Sequence, residues 1–318
     1  ANALLTLSSV TALVALLVLA VGRSKAEKAS GAAALALLAA SLLAEPVQAT
    51  LGFGQVNLVL AAMVALDVLT PRTWWPRGLL IGIATAVKLT PAVFVLALLV
   101  RRQYRAAATA ALTFVAVSLL AWAAAPQDSQ QYWTSVLWDP DRIGGAAYSG
   151  NQSVNGLLLR LGLTGTTERL AWMIGAALVV ALAWAGMKHA ERRGDIVLLL
   201  GLNGLVALLA SPVSWTHHWV WLLPLGLALW TRTDRAGWRV LAAFGASLML
   251  LRPMWWLPRE ADRELDWALW QQVPGNAYVL FGVAVLLAAA VGPHARYKLH
   301  RGSSNGSGPR EADKGASS

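Results

Sequence analysis

Apolar runs of near-spanning length recur along most of the chain, separated by short polar segments. The first, "NALLTLSSVTALVALLVLAVG", is long enough to cross a bilayer core, which takes about 20 apolar residues in a helix. The same pattern predicts transmembrane helices at roughly 2–22, 29–44, 55–70, 106–125, 169–187, 196–211, 216–231, 238–256 and 276–292. Residues 1–293 then form one membrane-embedded unit, an all-α polytopic helical bundle. The remainder, 294–318, is basic and rich in Gly and Ser, and is expected to be a disordered cytoplasmic tail. No repeat of fixed period and no soluble domain are visible.

One apolar region does not read as a simple span. Residues 78–100, "GLLIGIATAVKLTPAVFVLALLV", carry Lys88 and Pro91 near the middle. Proline removes a backbone donor and disfavours helix at the residue before it. Two half-helices of ~11 residues would each rise ~16 Å, about half of a ~30 Å core. The expected result is a broken-helix hairpin with "KLTP" at its tip. The competing reading is one tilted span with a buried lysine.

Charge bears on that choice. Lys and Arg number 26 against 16 Asp and Glu, a net charge of +10. Most of the cations fall in six segments: 22–28, 71–77, 101–105, 188–195, 231–239 and the tail. Positively charged loops stay in the cytoplasm, which sends the N-terminus, 45–54, 126–168, 212–215 and 257–275 to the outer face. Basic segments flank 78–100 on both sides, so that region must enter and leave from the cytoplasm. A single span there would reverse every later loop. With the cations accounted for in this way, no nucleic-acid partner is expected.

Composition agrees: 57% of residues are hydrophobic and 13% charged, against roughly a quarter charged in soluble domains. Cysteine is absent, which excludes disulfides and thiolate metal sites.

Candidate chemistry gathers on the outer side. A cation within the membrane is costly and usually has a partner or a task. Lys88 therefore stands out, and as a point charge it suits a lipid phosphate. "SPVSWTHHWVWLLP" places His217 and His218 at the mouth of a span. On a helix, consecutive residues point about 100° apart, so the two imidazoles are expected to do different jobs. No HExxH or carboxylate-rich motif accompanies them, and no metal is expected.

Glu45, Gln55 and Asn57 cluster before and at the start of the third span. The large loop 126–168 combines Tyr132, Trp133, Trp138 and Tyr148 with acids and the amide run "GNQSVNG". Within it "SVNGLLLRLGL" reads as a short helix capped by Asn151 or Ser153. Aromatics beside amides suit sugar recognition, which makes Asn151 and Gln152 candidates; Trp215, in the histidine stretch, is another. The alternative is an interfacial loop with an aromatic belt. "LGFGQ" lacks the strand context of a nucleotide-binding turn. Sugar chemistry on the outer face cannot draw on cytoplasmic nucleotide sugars, whereas a lipid-phosphate sugar fits.

Four stretches, "GFGQVNLVLAAMVALDVL", "GIATAVKLTPAVFVLALLVRRQYRAA", "YSGNQSVNGLLLRL" and "SPVSWTHHWVWLLP", closely resemble glycosyltransferase family 87. That family includes polyprenol-phosphate-mannose-dependent α-(1→2)-mannosyltransferases. The resemblance implies a GT-C-type multi-pass membrane enzyme with its active site on the non-cytoplasmic face and no cofactor. It would move mannose, with inversion, from a polyprenyl-phosphate donor to a glycolipid or lipoglycan acceptor among the membrane lipids. Lys88 with His217 or His218 would hold the donor phosphate. Glu45, Gln55, Asn57, Asn151, Gln152 and Trp215 would face sugar or acceptor.

The sequence departs from the family in one respect. Such enzymes carry a catalytic Asp in the first outer loop, and this chain begins nearer the family's third or fourth span. The base is expected upstream of Ala1, because Glu45, Asp139 and Asp141 do not match that place. Two other readings are a flippase or transporter for a lipid-linked sugar, and a truncated, non-catalytic remnant. Transporters tend to show interrupted helices in both of two related halves, and only one interruption is visible here.

Overall fold

The computed structural model describes residues 2–24, 31–139, 144–232 and 236–291. The expected tail and Asp141 lie outside the described residues. Fifteen α-helices follow in order: α1 (Asn2–Arg23), α2 (Gly31–Leu43), α3 (Glu45–Gly52), α4 (Asn57–Leu69), α5 (Leu79–Val87), α6 (Val95–Val100), α7 (Tyr104–Ala124), α8 (Pro126–Thr134), α9 (Val154–Arg160), α10 (Gly165–Arg192), α11 (Ile196–Leu209), α12 (Leu222–Thr231), α13 (Ala236–Leu251), α14 (Leu269–Gly275) and α15 (Ala277–Val291). Among the described residues there is no β-strand, only an isolated bridge between Asn151 and Trp215. This architecture fits an all-α polytopic membrane bundle.

A helix answers each expected span, but their lengths differ. Among the described residues, only the helices at 3–23, 104–124 and 165–192 are each apolar and long enough to cross a membrane; three bent pairs bring the total to as many as six. The breaks have local causes. Residues 45–54, expected as a loop, continue α2 as α3 after a 67° bend, with Pro46 in the first turn of the new helix, where a missing N–H costs nothing. The start of the expected 216–231 helix winds as a tighter 3-10 stretch, Thr216–Trp221, before α12 begins. The expected 238–256 helix stops at Leu251, ahead of Pro253.

α11 is the spine of the bundle. Almost every residue from Ile196 to Leu209 is buried, as expected for a helix apolar on all sides. α10, α12, α15 and the 78–100 segment surround it. Gly204 permits the closest approach: a Cβ there would stand 2.7 Å from the Trp221 Cβ.

Residues 78–100 form the expected hairpin. α5 ends at Val87, Lys88 is extended (φ −153°, ψ 128°), and a 3-10 stretch, Thr90–Phe94, leads into α6. Gly78 abuts the Ala106 carbonyl, and Gly82 abuts Ala110 and Thr113. α5 therefore runs alongside α7 in the same direction. α6 then ends only a few residues before α7 begins, so both ends of the segment meet at the start of α7. Gly78 adopts φ +97°, and a Cβ would lie 2.1 Å from the Ala106 oxygen; only glycine fits.

The hairpin is fastened at its base and satisfied at its tip. Fully buried Asp67, on α4, accepts from the Gly78 and Ile81 amides at 3.1 and 2.9 Å and from Trp75 Nε1 at 2.8 Å. A carboxylate from another helix thus bonds the free amides that begin α5. Near the tip, Asn203 of α11 donates to the Val93 carbonyl at 3.1 Å. Irregular backbone at membrane depth requires such protein partners. At the base, Arg77 and Arg23 lie within electrostatic reach of Arg101, which pairs with Glu191 at 3.4 Å. Four of the basic segments therefore converge at one end of the bundle, away from Lys88.

Candidate functional site

The hairpin break presents Lys88 to two other elements. Its Nζ donates to Asn57 Oδ1, at the start of α4, at 3.0 Å, and lies 2.9 Å from His218 Nε2. An ammonium has three donors and no acceptor. Nε2 of His218 is therefore the acceptor, and that imidazole is neutral with its proton on Nδ1. Among the described residues no carboxylate lies within ion-pair distance of Lys88. Its partners are neutral, one donor is left over, and the side chain is only half-buried.

The paired histidines face different neighbours. His217 turns its ring toward Phe53, with centroids 5.5 Å apart, and stands nearly perpendicular to His218 at 4.5 Å. Its carbonyl takes two bonds, from Thr50 Oγ1 and Asn57 Nδ2, both at 2.9 Å. Asn57 thus fixes Lys88 with its oxygen and the histidine backbone with its nitrogen. A small cavity of ≈ 30 Å³ lies against Asn57, Pro91, Phe94, His218 and Trp221. That is room for about one or two water molecules.

A second polar network anchors the histidine segment from behind. Gln152 N donates to the Ser214 carbonyl at 2.8 Å, and Thr216 N to the Gly150 carbonyl at 3.0 Å. Asn151 accepts from Ser214 N at 2.8 Å and donates to Ala146 and Pro212 carbonyls. Gln152 donates to the Ser149 and Gly275 carbonyls and accepts from Tyr278 N. Both side chains are fully buried. Their amides are occupied with backbone, which gives them a clamping job in place of the sugar contact expected of them. Ser153, not Asn151, caps α9, accepting from Gly156 N at 3.1 Å.

Arg160 at the end of α9 holds the clamp together. Its guanidinium reaches the carbonyls of Ala147, Tyr148 and Asn151 and, twice, Asn276 Oδ1, all at 2.6–3.0 Å. All five of its donors are used. Burial pulls its pKa down to about 9, with Glu264 opposing the shift, so it is cationic at neutral pH. Gln272 and Asn276 bond each other and return to the Arg160 carbonyl. Sequence reasoning passed over Arg160, Gln272 and Asn276; the available signal was an arginine one short helix after an amide run.

The other expected residues fall around these two networks. Glu45 is buried, and its carboxylate is bonded by Thr216, Trp255 and Tyr278 side chains, the last at 3.4 Å. It is therefore tied to the histidine segment rather than presented to solvent. Gln55 is half-buried two residues before Asn57. Trp215 is half-buried with its ring edge-on to Tyr148 at 6.1 Å, and Tyr148 also meets Trp255 at 6.0 Å. Tyr132 and Trp133 pack on each other, and Trp133 also meets Phe114 of α7. Among the described residues no group of three or more His, Asp or Glu converges as a metal cage would require.

Comparison with known proteins gives this geometry a family. The chain is 40% identical over 282 residues to a polyprenol-phosphate-mannose-dependent alpha-(1-2)-phosphatidylinositol mannoside mannosyltransferase of Mycobacterium tuberculosis, covering 87% of this chain and 65% of the relative. It is 39% identical over 285 residues to the protein of the same description from Mycolicibacterium smegmatis, covering 84% and 63%. A pentamannoside mannosyltransferase of M. smegmatis is 43% identical over 184 residues, 57% of this chain and 44% of the relative. The chain thus spans just under two thirds of the length of the first two relatives. No solved structure gives a significant match. The model of glycosyltransferase family 87 matches residues 1–212, and the chain belongs to that family.

Proposed function

We propose that the chain forms the donor-phosphate end of an integral membrane mannosyltransferase. The donor is a polyprenyl-phosphate mannose, and the acceptor is a glycolipid such as a phosphatidylinositol mannoside. One observation carries this reading: Lys88 is a cation at the tip of a broken hairpin, held only by neutral partners. A structural lysine at such depth would be expected to face a carboxylate. An uncompensated one, with a free donor and a neutral imidazole beside it, suits a departing phosphate whose negative charge grows as the glycosidic bond breaks.

Three further features support it. The basic segments gather at the end opposite Lys88, so by the positive-inside rule the Lys88 end faces away from the cytoplasm and the chain crosses the membrane several times. An apolar cavity of ≈ 250 Å³, lined by Leu37, Ala44, Leu222, Leu227, Met249 and Phe281, begins where the histidine-bearing stretch ends and offers a surface for a prenyl chain. Gln55 and Trp215, both partly exposed, are placed to meet donor or acceptor sugar.

Transfer with inversion also needs a carboxylate to take the proton from the attacking hydroxyl. Glu45 is occupied by protein partners, and we do not assign it that role.

The test uses membranes from cells expressing the protein, labelled polyprenyl-phosphate mannose and a phosphatidylinositol mannoside acceptor. Label should move to the acceptor, and Lys88→Ala should abolish transfer while the protein still inserts. Transfer at the unaltered rate in Lys88→Ala would remove the phosphate role. Passage of label across the membrane without transfer would identify a transporter instead.

A further inference from the structure

We propose that α14 lies in the boundary between lipid headgroups and acyl chains, with Leu269, Trp270 and Val273 inserted among the lipids. These three are 84%, 70% and 61% exposed. At 100° per residue, these three positions fall within a 100° arc of the helix. The opposite side, Gln272 and Gly275, is buried and bonds the clamp through the Arg160 carbonyl and Gln152 Nε2. The helix is thus amphipathic in the sense that matters, with one face bonded to protein and the other apolar and uncovered.

Orientation selects the occupant. α14 is bent 75° from α15, which follows it directly. The sequence reads α15 as a membrane span, and a helix nearly perpendicular to it lies close to the bilayer plane. Exposed apolar positions recur on α15 at Leu280 and Leu287. Trp270 and the 64% exposed Trp256 are the residue type that settles at the lipid–water interface. Glu260 and Arg263, earlier in the same connecting segment, are exposed charges. Amphipathic helices in this position bury their apolar face about 5–10 Å into the boundary. The consequence is that the clamp behind the histidines is held at a fixed depth by lipid as well as by protein. This inference rests on bilayer placement alone, so it stands or falls separately from the donor and acceptor.

The chain has no cysteine, so Leu269→Cys, Trp270→Cys, Val273→Cys and Arg263→Cys can each carry a single nitroxide label in reconstituted bilayers. All four side chains are exposed, and their replacement removes little packing. At positions 269, 270 and 273, collisions with oxygen, which partitions into lipid, should exceed those with a water-soluble nickel chelate; position 263 should show the reverse. Chelate access at the three positions equal to that at 263 would overturn the proposal. So would labels shielded from both reagents, which would indicate a protein cover.

Discussion

Replacing Arg160 by lysine keeps the buried charge but leaves at most three donors where five are bonded now. At least two of the five bonds to the Ala147, Tyr148 and Asn151 carbonyls and Asn276 Oδ1 would be lost. Arg160 is 2% exposed, so water cannot substitute. Hydrogen bonds to a charged group contribute about 1.5–3 kcal/mol each, so two of them amount to at least about 3 kcal/mol of local stability. That corresponds to about a hundredfold rise in the population of the opened clamp. Ser149 provides a reporter: it is fully buried, and its hydroxyl has no hydrogen-bond partner among the described residues. Ser149→Cys therefore places one nearly isosteric thiol behind the clamp of a cysteine-free chain. Thiol labelling in the regime where opening is rapid and reversible reads the opening equilibrium directly. Arg160→Lys should speed labelling about a hundredfold. A rate within a factor of about three of the parent would mean that other contacts hold the segment, and the role given to Arg160 would be wrong.

Four other substitutions probe the site and its support. We predict that His218→Ala lowers kcat/KM by about 10–100-fold, since it removes one charge-assisted bond to Lys88; His217→Ala should cost less than about tenfold, because its anchoring runs through the backbone carbonyl. Equal, mild effects in a transfer assay would count against this division of labour. Asn57→Asp would put a carboxylate about 3 Å from the Lys88 ammonium, and donor KM should rise at least tenfold; an unchanged KM would show that the phosphate does not use that charge. Gly78→Ala combines a disfavoured φ with a collision against the Ala106 carbonyl, and thermal unfolding in detergent should show a loss of at least ~2 kcal/mol; an unaltered midpoint would contradict the tight packing of α5 on α7.

Some of this architecture was legible in the sequence because the signal was local. Lys88 and Pro91 in an apolar run announce a break, and flanking arginines say that both ends share a side. Ser153 before Val154 announces a helix start. What was not legible depended on distant partners. An amide that bonds a ligand and an amide that bonds a loop read alike, so Asn151 and Gln152 looked like sugar contacts until their carbonyl partners at Pro212 and Gly275 were seen. The α3 helix was hidden because Glu45 and Pro46 resemble a loop start, yet proline in a first turn is compatible with helix. Arg160 went unremarked because nothing within ten residues of it is acidic except Glu168; its counter-charge, Glu264, is on the far side of four helices.

The Lys88–His218 contact joins residues 130 positions apart, whereas Asn57 precedes Lys88 by 31. At ribosomal speeds of about 5–20 residues per second, roughly 6–26 s separate the synthesis of the lysine from that of the imidazole. During that interval Asn57 is the one of the two side-chain partners already synthesised, and every residue of the Asp67 fastening at the hairpin base is available to form it. The order of residues along the chain therefore matches an order of assembly in which the amide receives the cation first and the imidazole closes over it later.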